Sequence, residues 1–317
     1  MKKNKKDELL SVLLNGGIIS GENIAKTIGI SRVMVNRYIK DLQKEGFEIE
    51  TYKGIGYRIA TIPDVMYPSL IKSRGGPISE YEILVFDSLP STNDYCLKNS
   101  DTIRNKTVVI AREQTKGRGR LGRSWYSEKD KDITMSIVLK PMVSTDTIIR
   151  YSISISLSVV DTLREFDIEE IFIKWPNDIY YNDKKLCGIL IESTIQCDTG
   201  LVELLVLGIG LNVNSCTSRT IPTATSVYEI LGFEVKRATI INKIISNFEE
   251  NLSLNYDTLF KKWKGNMGLI GKNIIIKSGD EEIKCKFIDV SKSGEIIVEE
   301  NNKIRKFSFG EVSLSID

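Results

Sequence analysis

The sequence predicts an α+β chain of several domains: a winged helix-turn-helix over residues 1–62, a connector over 63–80, a central mixed β-sheet with helices over 81–270, and a small β-barrel over 271–317. Three observations carry this. At the N-terminus, three short helical runs closed by glycine precede a glycine-turned pair of strands. From Tyr81 to about Gly271, strands rich in β-branched residues alternate with helical runs. After Gly271 the texture changes to short strands with charged turns.

Residues 7–14 (DELLSVLL) read as an amphipathic helix stopped by Asn15-Gly16-Gly17. Ser20 is placed to cap GENIAKTI, which ends at Gly29, and Ser31 to cap RVMVNRYIKDLQKE, which ends at Gly46. A capping hydroxyl accepts a backbone N–H that the first helical turn leaves unpaired, and glycine takes the left-handed turn that ends the helix. In the third helix Val35, Ile39 and Leu42 fall at i, i+4 and i+7 and make a core stripe. Arg32, Asn36, Arg37 and Lys40 then lie on the other face, with side chains suited to phosphates and base edges. FEIETYKGIGYRIA supplies two strands around a Gly54/Gly56 turn, completing the order of a winged helix. Residues 1–60 hold eleven Lys and Arg against seven Asp and Glu, while the whole chain carries a net charge of only +2. The positive charge therefore concentrates where a nucleic-acid-facing domain needs it. A small helical protein-interaction domain is the alternative.

Pro63, Pro68 and Arg74-Gly75-Gly76-Pro77 mark the connector. The central strands are EILVF, TVVIA, DITMSIVLK, IFIKW, KLCGILIES and LVELLVLGIGLNV. Ile148 to Phe166 fits both periods, and its length favours a helix. A long helical segment runs from about Lys236 to Trp263. The terminal strands are NIIIKSG, EEIKCKFIDV, SGEIIVEE and KIRKFSFGEVSL.

The chain contains no histidine. That removes Ser-His and Cys-His nucleophiles, histidine bases and histidine-ligated metals together. Catalysis must rest on Lys, Arg, carboxylates, amides and backbone groups, a set suited to neutralising and positioning anions in phosphoryl or nucleotidyl transfer. Five cysteines without a C-x-x-C pair fit free thiols in a reducing cytoplasm rather than disulfides or zinc. No apolar run reaches the ~20 residues of a membrane span, and no signal peptide is expected behind MKKNKKDELL.

The densest motif runs from Gln114 to Trp125, QTKGRGRLGRSW. Gly117, Gly119 and Gly122 fit the G-x-G-x-x-G dinucleotide pattern, but a charged turn and the strand DITMSIVLK follow where that pattern needs a helix. Arg118, Arg120 and Arg123 suit a loop that closes over an anion; a solvated basic loop is the bland alternative. Downstream, Lys174-Trp175-Pro176-Asn177-Asp178 ends a strand, and Lys185 opens the apolar KLCGILIE strand with its ammonium at the mouth of whatever the sheet encloses. Asn177-Asp178 also fits plain turn chemistry, and a lone lysine is more often solvated. Gly208 and Gly210 end another apolar strand and permit close ligand approach. Ser91-Thr92-Asn93-Asp94 fits either a helix cap or hydrogen-bonding groups in a pocket.

Taken in order, these pieces resemble the biotin–protein ligase family in its bifunctional form, the biotin operon repressors. The matching pieces are Ser91-Thr92-Asn93, the Gln114–Trp125 run, KWPND, KKLCGILIE, GIGLNV and a closing GEVSL near Gly310. With the winged helix and the terminal barrel, the resemblance spans essentially the whole chain. Leu121 stands where some relatives carry another arginine.

The resemblance implies a class II synthetase-like catalytic domain and an SH3-like terminal barrel. It implies that biotin's carboxylate attacks the α-phosphate of ATP, giving biotinoyl-5′-AMP and pyrophosphate, after which an acceptor lysine takes the acyl group and releases AMP. Lys185 would bridge the biotin carboxylate and the α-phosphate, and Arg118, Arg120 and Arg123 would close over the adenylate. Ser91, Thr92 and Gln114 would hydrogen-bond the ureido ring beside Asn93, with Gly117, Gly119 and Gly188 admitting biotin's body. Trp125 would pack biotin's apolar side or the adenine. Asn177, Asp178 and Asn212 would position the nucleotide or Mg²⁺ carried on the ATP phosphates. The implied partners are the biotin-acceptor domain of biotin-dependent carboxylases, operator DNA, and a second copy of the chain when the adenylate is bound; the implied location is the cytoplasm, with no membrane partner.

Two rivals differ in chemistry. A lipoate or octanoate ligase would share adenylation but would not need the winged helix. A biotin-sensing repressor that had lost ligation would not need Lys185.

Overall fold

The computed structural model describes residues 4–278, 281–308 and 313–316. The chain opens with α1 (Lys5–Leu14), α2 (Gly21–Ile28) and α3 (Arg32–Lys44), followed by β1 (Glu48–Tyr52) and β2 (Gly56–Thr61). The caps fall where the sequence put them. The Ser20 hydroxyl accepts from the Asn23 N–H at 3.1 Å, the Ser31 hydroxyl accepts from the Met34 N–H at 3.2 Å, and Gly29 ends α2 at φ 68°. Leu9, Leu10, Ile24, Val35, Ile39 and Leu42 bury the shared face. β1 and β2 pair antiparallel as the wing.

The segment expected to be a connector is packed against its neighbours. It carries α4 (Pro68–Lys72), which packs against α1, and buries Met66, Tyr67, Leu70, Ile71 and Ile78. Asp64 accepts from the Arg237 backbone N–H at 2.9 Å, from its Nε at 2.7 Å, and from the Asn214 amide at 2.9 Å. Arg237 is only 1% exposed. Burying a guanidinium is costly unless it is paired, so this clamp fixes the N-terminal unit to the central one. The proline and glycine signals marked the ends of short helices packed into the core.

Next come β3 (Glu82–Phe86), α5 (Thr92–Lys98), β4 (Thr107–Ala111), β5 (Ile133–Leu139), α6 (Ile148–Arg164), β6 (Ile171–Lys174), β7 (Asp178–Tyr181), β8 (Lys184–Ile195), β9 (Val202–Leu211), α7 (Val227–Leu231), α8 (Arg237–Ser253) and α9 (Tyr256–Gly265). Seven strands form one mixed sheet in the order β3-β4-β5-β9-β8-β7-β6, parallel only between β3 and β4. One face is covered by α6, with Ile153, Leu157 and Val160 fully buried, and by α8 packed on it.

The ambiguous stretch from Ile148 is a helix, as its length favoured. The long helix expected from Lys236 to Trp263 is two helices. Leu254 is extended and the Asn255 side chain caps α9 by accepting from the Thr258 N–H at 2.9 Å. An Asn competing for backbone N–H groups is a helix start. Strand β7 was missed because DIYY directly follows residues that read as a turn.

The C-terminal part is a five-stranded antiparallel sheet of β10 (Asn273–Ser278), β11 (Glu281–Val290), β12 (Ile296–Glu300), β13 (Lys303–Phe307) and β14 (Ser313–Ile316), in the order β13-β12-β11-β10-β14. The expected fourth run divides into β13 and β14. Of the closing GEVSL motif, Gly310, Glu311 and Val312 lie outside the described residues.

Candidate active site and DNA-facing helix

Residues opposite one another in a sheet point to the same face. The register places Lys174 opposite Asp178, Asp178 opposite Gly188, Gly188 opposite Gly210, and Gly210 opposite Thr134. One row across five strands thus collects residues from KWPND, KKLCGILIE and GIGLNV. The neighbouring rows bring Tyr180 opposite Lys185, and Leu190 opposite Gly208 and then Ser136. This is the face opposite α6, and it lines a cavity of about 230 Å³.

One end of the cavity is neutral. Ser91 caps α5 by accepting from the Asp94 N–H at 3.3 Å, so the helix-cap and pocket readings of this segment both apply. Gln114 Oε1 accepts from the Thr92 N–H at 2.8 Å and its hydroxyl at 3.1 Å. Ser136 donates to Asn93 Oδ1 at 2.6 Å and Asn93 Nδ2 donates to Glu192 at 2.8 Å. A Cβ on Gly208 would lie 2.3 Å from Asn93 Oδ1, so this glycine seats Asn93.

The arginine loop forms a small hairpin across the cavity. Gly119 N–H donates to the Arg123 carbonyl at 2.7 Å and Trp125 N–H to the Gly117 carbonyl at 2.9 Å. A Cβ on Gly117 would meet the Trp125 carbonyl oxygen at 2.4 Å, so glycine is needed there to close the hairpin. Gly117 is buried in the hairpin rather than lining the cavity, unlike the expectation that it admits ligand. Gly122 has φ 72°, and Gly119 has room for a side chain. The Trp125 ring lies on the sheet glycines: added Cβ atoms would come within 2.9 Å of it at Gly188 and 2.3 Å at Gly210. In this structure both glycines admit the indole. Its Nε1 is buried without a hydrogen-bond partner among the described residues.

The three arginines diverge. Arg118 pairs with Asp94 at 2.7 Å and Glu192 at 2.8 Å, toward the neutral end. Arg120 reaches Asn177 Oδ1 at 3.4 Å; burial pulls its pKa below the ordinary value and Arg123 adds to this, while Asp178 opposes. Arg123 is exposed at the cavity lining. Lys185 Nζ sits 2.7 Å from Asp178 and 5.6 Å from the Trp125 ring centre. Asn177 donates to the Ile189 carbonyl and lines a second cavity of about 910 Å³, which shares Arg120 with the first.

Asn212 does not join the cavity. It is buried at the end of β9, with its amide donating to the Thr225 carbonyl at 2.9 Å. Polar type and position beside GIGL suggested a ligand contact, but the amide holds a loop. Lys174, Tyr180 and Ser136 line or border the site and were given no role from sequence, nor was Glu192. Strand alternation from Asp178 would have found Tyr180. Among the described residues no three His, Cys, Asp or Glu cluster as a metal cage. Asp178 is engaged by Lys185, so these donors fit Mg²⁺ held largely by substrate phosphates rather than by the protein.

On α3, Arg32, Asn36, Arg37 and Lys40 are all exposed. Asn36 accepts from the Tyr57 hydroxyl, tying the helix to the wing. Val33, 76% exposed, and Ile55 at the wing tip, 61% exposed, are apolar surface contacts that sequence reading passed over. Val33 shares a helical face with Asn36, Arg37 and Lys40 at i+3, i+4 and i+7, a signal that was available.

Comparisons with known proteins cover all three parts. A biotin/lipoate A/B protein ligase family model matches residues 85–212, an HTH domain model matches 5–58, and a biotin protein ligase C-terminal domain model matches 269–315. The bifunctional ligase/repressor BirA of Bacillus subtilis (strain 168) is 28% identical over 99% of this chain and 100% of its own. That of Escherichia coli (strain K12) is 27% identical over 97% and 96%. The structure of biotin protein ligase from Aquifex aeolicus in complex with biotin and ATP superposes with a TM-score of 0.63 at 27% identity, covering 74% of this chain and 99% of that one. With its three parts matched in order and its relatives matched end to end, the chain belongs to the biotin protein ligase family in its bifunctional ligase/repressor form.

Proposed function

We propose that the chain joins biotin to ATP as biotinoyl-5′-AMP, passes the biotinoyl group to a lysine of an acceptor domain, and represses transcription through its winged helix. The observation that carries the enzymatic reading is a single cavity with a neutral hydrogen-bonding end and a cationic end, Lys185 standing between them. Biotin has that polarity, with a neutral ureido ring at one end and a carboxylate at the other. Ser91, Thr92, Asn93 and Gln114 suit the ring, and Arg118 supports that end through Asp94 and Glu192.

Lys185 is suited to bridge the carboxylate and the α-phosphate. Both are anions, and their approach is the electrostatic problem of the first step. Arg120 and Arg123 suit the adenylate's phosphate, and the unpartnered Trp125 Nε1 suits an acceptor oxygen of the ligand. Mg²⁺ supplies charge neutralisation on the ATP phosphates. In the second step the lysine nitrogen attacks the biotinoyl carbonyl and the acyl–phosphate bond breaks, leaving its electron pair on AMP.

The acceptor is the biotin-acceptor domain of a biotin-dependent carboxylase, and the nucleic acid is operator DNA met by α3 and the wing. One winged helix reads a half-site, so repression uses a homodimer favoured by bound adenylate. Use of ATP supports a cytoplasmic location. No described helix is long and apolar enough to cross a membrane. The test supplies ATP with biotin or with lipoate, then an acceptor domain. Biotin-dependent pyrophosphate release followed by acceptor labelling supports the reading. Preference for lipoate, or adenylate that is never transferred, removes it in favour of the two rivals.

A further inference from the structure

Helix α3 turns Val35, Ile39 and Leu42 into the core. At about 100° per residue, Val33 stands roughly 160° round the helix from Val35 and opposite Leu42. It therefore lies on the outermost line of the helix, where it is 76% exposed. Lys40 continues that line two turns on, and Asn36 and Arg37 flank it, all exposed. The outward face of α3 thus combines cations and an amide with an apolar side chain in its first turn.

A lone exposed apolar residue is ordinary on a protein surface. The place and stiffness of Val33 give this one a use. In a helix-turn-helix the first residues of the second helix meet base edges, and α3 is that helix, with Val33 its second residue. Arg32 and Arg37 beside it draw this turn against a polyanion rather than against an apolar protein patch. A β-branched side chain in a helix keeps one preferred χ1 rotamer, so its two methyl groups lose little freedom on contact. In the major groove the apolar feature of a base edge is the C5-methyl group of thymine. We infer that Val33 reads a thymine methyl, so that α3 distinguishes thymine from a base that pairs identically without it. Val33 and Asn36 are one turn apart, with Cβ atoms about 5–6 Å from each other. Base pairs stack about 3.4 Å apart, so the thymine lies within about two base pairs of the position Asn36 reads. Asn36 accepts from the Tyr57 hydroxyl of the wing, which steadies the register between the two contacts.

This rests on the repressor reading, and the DNA separates the two failures. The probes are duplexes that the full chain, with biotin and ATP, selects from a random-sequence pool at fixed salt. Each thymine of a selected duplex is then replaced singly by deoxyuridine, which removes the methyl and leaves pairing and phosphates intact. For the wild type, one such replacement in each half-site is expected to lower affinity roughly fourfold, the worth of one buried CH₂ group. Val33→Ala should bind the thymine duplex roughly fourfold more weakly, and the difference between thymine and deoxyuridine should vanish at that position alone. Its salt slope should match the wild type, because an apolar contact releases no counterion. Alanine is the better helix former, so weaker binding does not come from an unravelled α3. A Val33→Ala chain that keeps the wild-type thymine preference overturns the inference, as does a wild type indifferent to every methyl. So does a decisive thymine more than about two base pairs from the position where Asn36→Ala loses its preference. Loss of the thymine preference in Ile55→Ala instead would move the methyl contact to the wing tip and overturn it too. A wild-type chain that selects no sequence from the pool overturns the repressor reading itself.

Discussion

Two surfaces of this molecule are rich in cations, and they hold them differently. On α3, Arg32, Arg37 and Lys40 are exposed and make no ion pair among the described residues. Around the cavity, Arg118 is gripped by two carboxylates, Arg120 is half-buried beside Asn177, and Lys185 is paired with Asp178. Exposed cations act additively on a polyanion, by releasing counterions, and salt screens them. Partly desolvated, paired cations act through fixed geometry, where each is worth more and salt matters less. The same residue types therefore predict opposite experimental signatures at the two sites.

The largest effect belongs to the cavity. Lys185→Ala removes the charge between two converging anions, and adenylate formation should fall by ~10²–10³ in rate. Biotin binding should weaken less, since the ring contacts lie at the neutral end. Single-turnover adenylation with an independent biotin titration checks this, and a wild-type rate would remove Lys185 from the chemistry.

Next comes the seat of the indole. Gly210→Ala puts a Cβ about where the Trp125 ring now lies, 2.3 Å from its nearest atom. The ring must lift, taking the loop with it, so adenylation and adenylate retention should both drop by roughly tenfold, equivalent to about 1.4 kcal/mol. Gly265→Ala, on α9 with open space for its methyl, is the control and should leave both near wild type. Equal behaviour of the two variants would mean that Trp125 is not held where this structure places it.

What the sequence made legible follows the same division. Periodicity and caps located α3 and its exposed side chains, because a helix on a surface is specified by neighbours three and four residues away. The cavity depends on register between strands far apart in sequence, which no local pattern carries. Motif resemblance named Lys185 and the arginine loop, which line the same cavity, yet Lys174 and Tyr180 became visible only once β6, β7 and β8 were aligned. Asn212 shows the converse limit. Its position beside GIGL was informative, but the direction of its amide, toward Thr225, is set by a loop that pattern could not place. The short helix in the connector was not legible because Pro and Gly mark helix ends as readily as linkers.

The tie between the two surfaces predicts an intermediate effect. Asp64 and Arg237 clamp the N-terminal unit beside Asn214, which continues from the end of β9. If bound adenylate favours the DNA-competent dimer, linkage requires operator DNA to tighten adenylate retention by the same factor, typically about 5- to 150-fold. Operator titrations with no ligand, with biotin, and with biotin plus ATP measure one side, and adenylate dissociation with and without operator measures the other. Equal affinity in all three titrations would leave the winged helix uncoupled from the enzyme.

The smallest effect is on α3, and it is the one that salt makes readable. Lys40→Ala removes one exposed cation suited to a phosphate. Each phosphate contact contributes about 0.9 to the slope of log K against log salt, so one contact is worth roughly 3.5-fold in affinity across a fourfold change in salt. The variant should bind operator and unrelated DNA more weakly by similar factors at low salt, and its slope should be shallower by about one. Asn36→Ala should do the opposite, leaving the slope alone and eroding the preference for operator, because an amide reads base edges and releases no counterion. Its tie to the Tyr57 hydroxyl must be separated from that effect, which Tyr57→Phe does by breaking the contact while keeping Asn36. A Lys40 variant with an unchanged salt slope would place this residue off the phosphate backbone. It would also end the contrast between additive exposed cations and geometrically held cavity cations at the one position where it is simplest to measure.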